Sequence, residues 1–138
     1  MKVLLFADHS SARKLASSLQ GRGHILVSTS EVPELANLLA KERFDLAVVD
    51  SRMENAEKAC RHLDELCAIP LVLMVREKQA DWAQLLPIDV DGYLPEGVKG
   101  AELVARLQAI WRRHSAARLN SLLLTLSPST VERSVARR

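Results

Sequence analysis

Cysteine, aromatic residues and long apolar runs are all scarce in this chain of 138 residues. The two cysteines, Cys60 and Cys67, stand seven positions apart. On one helix that spacing separates them by about 10 Å of rise, too far for a disulfide. They fit a reducing compartment and small packing roles. Neither they nor the 4 histidines show a zinc-binding spacing. No apolar run approaches the roughly 20 residues needed to span a bilayer. The N-terminus opens directly on a strand pattern, with no charged, apolar and cleavable leader. A cytoplasmic protein without membrane contact is expected.

Glycine is sparse too. Where two stand close together, in Gly21-Arg22-Gly23, a strand pattern follows, whereas a phosphate-cradling loop opens a helix. No hydroxyl-rich or glycine-rich first loop is present for an FMN phosphate. A flavin- or nucleotide-binding domain therefore survives only as a minor alternative, on topology alone. Ser10 and Ser11 have no His and Asp set beside them as a triad. No catalytic residues, and hence no enzymatic activity, are expected.

Charge is present in both signs but unevenly. Residues 1–111 hold 13 of the 19 Lys and Arg and 16 of the 17 Asp and Glu, a net of −3. Residues 112–138 hold the other 6 basic residues and one acid, Glu132, a net of +5. This tail contains no aromatic residue and no recognisable reading helix, so it reads as a solvated linker, not a nucleic-acid reader.

What the chain has in quantity is alternating strand and helix patterns. Lys2 to Asp8, His24 to Val27, Phe44 to Asp50, Pro70 to Val75 and Gly92 to Leu94 read as strands. Between them, Ser10 to Leu19, a helix capped by Ser30, and Met53 to Leu66 carry apolar residues at helical spacing. A weaker helix is expected around Asp81 to Leu86, and a long one from about Lys99. Apolar residues at 48% and charged residues at 26% suit one soluble domain with a sizeable core. Five strands separated by helices predict a flavodoxin-like (βα)5 three-layer sandwich, with a parallel sheet in the order 2-1-3-4-5 and a C-terminal helical extension.

Two of these strands end in carboxylates, at Asp8 and Asp50. Carboxyl edges of parallel strands are where ligands gather. A pair of oxygen ligands there points to a hard divalent cation such as Mg²⁺. Each Asp alone reads first as a turn residue or helix cap, and it is their pairing that favours the cation site.

With those motifs the chain resembles the receiver domains of bacterial two-component response regulators, over residues 2 to about 113. Phe6-Ala7-Asp8-His9 is similar to the acidic motif after the first strand, with one acid missing. Asp45 through Met53, including Asp50-Ser51-Arg52-Met53, is similar to the phosphoacceptor motif. Asp91 through Gly97 is similar to the fifth-strand region, with Tyr93 at the aromatic switch position. The resemblance implies Asp50 as the phosphoacceptor for a histidine kinase. It also implies a weak Mg²⁺ site formed by Asp8, Asp50 and the backbone carbonyl of Arg52.

Three positions depart from the family pattern. Ala7 replaces an acid, Val75 the hydroxyl residue after the fourth strand, and Glu96 the Lys after the fifth. Glu96 inverts a charge where the transition state gathers negative charge. A carboxylate about 4 Å from a bound anion costs on the order of 4 kcal/mol at an effective dielectric near 20, roughly a thousandfold in rate. Arg52 and Arg76 are candidate compensators, either able to pair with Asp50 or Glu96. The implied function is a degenerate, pseudo-receiver module of a response regulator, acting through protein contacts with phosphorylation at Asp50 impaired or absent. A conventional receiver phosphorylated on Asp50 is the alternative.

Beyond the receiver-like domain, residues 1–113, lies an extension, residues 114–138. Leu119, Leu122, Leu123 and Leu126 recur there at helical spacing, and Ser129 to Glu132 reads as a capping box after Pro128. The extension is expected to connect to an output domain or to form a homodimer, burying its leucines against the domain or a second copy. Partners are then an output domain and a histidine kinase, with nucleic acid reached only through the output domain.

Overall fold

The computed structural model describes residues 1–76 and 89–126. Five strands, β1 (Lys2–Phe6), β2 (Ile25–Thr29), β3 (Leu46–Asp50), β4 (Leu71–Val75) and β5 (Gly92–Pro95), form one parallel sheet in the order β2-β1-β3-β4-β5. Four helices are described: α1 (His9–Gln20), α2 (Val32–Lys41), α3 (Ala56–Leu66) and α4 (Gly100–Leu126). The flavodoxin-like architecture and strand order expected from the alternation are observed.

Every residue of β3 and β4 is buried, which is why both read as unbroken apolar runs. Successive side chains point to opposite faces and feed two cores. Val3, Leu5, Val48 and Met74 pack with Leu15 and Leu19 of α1 and Leu103 and Leu107 of α4. Leu4, Phe6, Val49 and Leu73 pack with Leu35 of α2 and Leu63 of α3. Cys60 lies in the second core, where burial pushes its thiol up to about 12, as suits an inert packing residue. At the sheet edge, Gly92 leaves room for Ile110: a Cβ there would sit 2.5 Å from its Cδ1.

Several boundaries differ from the sequence reading. α3 starts at Ala56, not Met53, because residues 51–55 form turns closed by Met53 N–H to Asp50 O and Ala56 N–H to Met53 O. Ser30 is not the cap of α2. Glu31 holds the N-cap position, its N–H donates to Thr29 Oγ1, and a proline stands in the first turn. The helix expected around Asp81 to Leu86 and the capping box at Ser129 to Glu132 lie outside the described residues. α4 runs unbroken through Leu126, about 40 Å in length. Leu119, Leu122 and Leu123 are 58%, 45% and 53% exposed, so within one chain they are not buried against the domain.

Candidate functional site

The strand order brings the carboxyl ends of β1, β3, β4 and β5 to one edge. Asp50 is the last residue of β3 and is 1% exposed. Asp8 follows β1, Val75 ends the adjacent β4, and Glu96 follows β5. A backbone bond from Glu96 N–H to Val75 O, 2.6 Å, fixes the start of the loop after β5. Gly97 then turns it with a φ of 96°, a region costly for other residues.

Arg52 organises this edge. Its backbone N–H donates to Asp50 Oδ1 at 3.0 Å. Its Nε lies 3.2 Å from Asp50 Oδ1 and 3.3 Å from Oδ2, and its Nη2 donates to Oδ2 at 3.0 Å. The same Nη2 donates to Ser11 Oγ at 2.6 Å, and Ser11 Oγ in turn donates to Asp50 Oδ2 at 3.2 Å. The remaining arm, Nη1, donates to Glu96 Oε1 at 2.9 Å. One guanidinium thus joins β3, α1 and the loop after β5. A planar, always-charged fork is suited to such bridging. The Asp50 carboxylate holds the guanidinium above its already high ordinary pKa, by hydrogen bonding first and Coulomb attraction next.

These groups do not fit a divalent cation as they are arranged. A cation needs free carboxylate oxygens, and both of Asp50's are taken by N–H and O–H donors. It would also meet a positive guanidinium at hydrogen-bond distance from the same carboxylate. One oxygen of Asp8 is engaged elsewhere: Oδ1 accepts the Ser11 N–H at 2.8 Å and caps α1, a bond that lowers the carboxyl pKa. The backbone of Arg52 faces Asp50 through its N–H. Among the described residues no cluster of three or more His, Cys, Asp or Glu is placed to hold a metal.

The other sequence-identified positions are distributed around this network. Ala7 is buried and Val75 is 1% exposed, both presenting only methyl groups. Tyr93, on β5, is 42% exposed. Arg76 stands at the periphery, its Nε 3.8 Å from Glu96 Oε2 and its side chain 57% exposed. Of the two candidate compensators, Arg52 therefore holds Asp50. Ser11 was missed as a site residue. Its only sequence signal is its place at the start of α1, three residues after Asp8, and helix capping accounts for that equally well.

No family model matches the chain. It is 30% identical over 137 residues to the transcriptional regulatory protein PhoP of Escherichia coli O157:H7, covering 96% of this chain and 60% of that protein. It is 31% identical over 145 aligned residues to the response regulator MprA of Mycobacterium sp. (strain KMS), covering 96% and 62%. The chain thus spans about 60% of the length of these curated relatives. Among solved structures, the receiver domain of the TMAO respiratory system response regulator TorR superposes with a TM-score of 0.68, over 81% of this chain and 97% of that one. At 20% identity that likeness concerns the fold.

Proposed function

The chain carries a receiver domain of the response-regulator family, and on that premise we propose that it is a pseudo-receiver: a signalling module read by protein partners, with phosphoryl transfer to Asp50 impaired. One observation carries this reading, the Arg52 guanidinium bound to both oxygens of Asp50 while tied to Glu96. A carboxylate that attacks phosphorus must free an oxygen for in-line approach, and here that means breaking charge-assisted bonds. Glu96 adds negative charge where phosphoryl transfer needs positive, and Val75 offers no hydroxyl. The module has no reaction of its own and acts through its surface.

Its partners are an output domain and, for any residual phosphorylation, a histidine kinase. Nucleic acid is reached only through the output domain. A second copy covers the exposed leucines of α4, giving a homodimer. No described helix is long and apolar enough to cross a membrane. A cytoplasmic location belongs to this reading through the proposed kinase and output-domain partners. The test is incubation with Mg²⁺ and a small phosphodonor, followed by intact mass measurement. Little or no gain of one phosphoryl mass is expected. A rapid gain on the unchanged chain, absent from Asp50→Asn, would establish the conventional receiver instead.

A further inference from the structure

We propose that the cleft between α1 and the β5–α4 loop binds a small organic anion with an apolar body. The cleft encloses about 710 Å³, within the range of small-molecule sites. Ser11, Arg52 and Glu96 line one end; Ser18, Arg22 and Gly100 line the other. Ser11 and Ser18 lie on one helix, so the two ends are about 10 Å apart. Between them the floor is apolar, formed by Leu15, Met74, Leu94 and Leu103.

Charge sets the direction in which a ligand lies. At the Ser11 end, the single guanidinium of Arg52 is already shared between Asp50 and Glu96. Toward the other end stand Arg22 and Lys99, with Lys14 along the wall. Among the described residues none of these three has a carboxylate partner. An anionic head therefore belongs at the Arg22 and Lys99 end, and an apolar body along the floor.

The walls are already held in place. The Gly100 N–H donates to Ser18 Oγ at 3.0 Å, joining the loop to α1, and Arg22 Nη1 donates to Ser18 O at 2.8 Å. Because the walls are joined at that end, the occupant is short: a carboxylate or phosphate on a ring or short chain. A ligand seated there also meets Arg52, giving a receiver with an occupied Asp50 a different input. That role rests on the function proposed above; the binding itself does not.

The full chain is titrated with phenylacetate and phenyl phosphate, and with uncharged phenylethanol and cationic phenethylamine as counterparts, while amide NMR shifts are followed. Both anions should give saturable shifts at Ser18, Gly97 and Gly100 that neither counterpart reproduces. Changing Lys14→Gln and Lys99→Gln together, both at exposed positions, should weaken the anions by about tenfold or more. No saturable shift with either anion at about 20 mM, where even millimolar sites fill, overturns the proposal. So do equal shifts from the amine, or undiminished binding by the double variant. Anion binding by a chain that also accepts a phosphoryl group on Asp50 would uphold the site and overturn only the reading of Asp50.

Discussion

Arg52 Nη1 meets Glu96 Oε1 at 2.9 Å, so a side chain from the turn after β3 is tied to the loop after β5. Glu96, which the resemblance sets at the receivers' lysine position, shares with Asp50 the one guanidinium of Arg52. The charge inversion at residue 96 and the occupation of Asp50 are one linked feature.

Replacing Glu96 tests the charge part of that feature. The Glu96 carboxylate is 40% exposed, so its pair with Arg52 stabilises the fold by no more than about 1 kcal/mol. Glu96→Lys should leave folding nearly unchanged and raise the rate of phosphorylation by a small phosphodonor by about tenfold or more. A rate identical to that of the unchanged chain would assign the defect to Val75 or Arg52 instead.

Asp8 gives a pH dependence whose sign is determined. Its carboxylate accepts the Ser11 N–H at the start of α1, which lowers its folded pKa below the ordinary 3.8. The resulting stabilisation is present above the unfolded value and is lost as pH falls through the lowered folded one. The difference in urea midpoint between the unchanged chain and Asp8→Ala should therefore hold constant between about pH 7 and pH 4, then shrink below. A difference that disappears already near neutral pH would show that the cap is not the origin of the effect.

The exposed leucines of α4 predict self-association. Leu119 and Leu122 are 58% and 45% exposed and lie one turn apart on the helix. Each leucine buried fully between two copies contributes about 1.5–3 kcal/mol. Sedimentation should show a dimer, and Leu119→Gln with Leu122→Gln should convert it to a monomer without loss of helix content. An unchanged chain that remains a monomer at high concentration would contradict a homodimer built on this face.

Much of the scaffold was legible because burial leaves a pattern. Leu46 to Val49 and Leu71 to Val75 are covered on both faces, and their unbroken apolar character announces β3 and β4. The place of Asp50 followed, since a single acid closing such a strand can only lie at its carboxyl edge. What pairs with that acid was not legible. The choice of Arg52 over Arg76, and the part played by Ser11, depend on how α1 packs beside the turn after β3. No periodicity encodes that packing. The start of α3 was read too early for a related reason: turn bonds from Asp50 and Met53 occupy residues that a helical pattern also accommodates. The cleft is the extreme case, because Lys14 and Lys99 are brought together only by the tertiary fold.

The most direct measurement of Arg52's role is thermal unfolding of the unchanged chain and of Arg52→Ala, each with EDTA and with excess Mg²⁺. With the guanidinium in place, Asp50 has no free oxygen, and Mg²⁺ should move the unchanged chain's Tm by no more than about 1 °C. Removing the guanidinium leaves a buried carboxylate with Ser11 as its remaining side-chain partner among the described residues, and should cost about 1–3 kcal/mol in EDTA. Mg²⁺ should then restore part of that loss, by about 1 kcal/mol for a millimolar site at tenfold excess. A Tm raised several degrees by Mg²⁺ in the unchanged chain, with no such response in Arg52→Ala, would contradict the claim that Arg52 stands in the cation's place on Asp50.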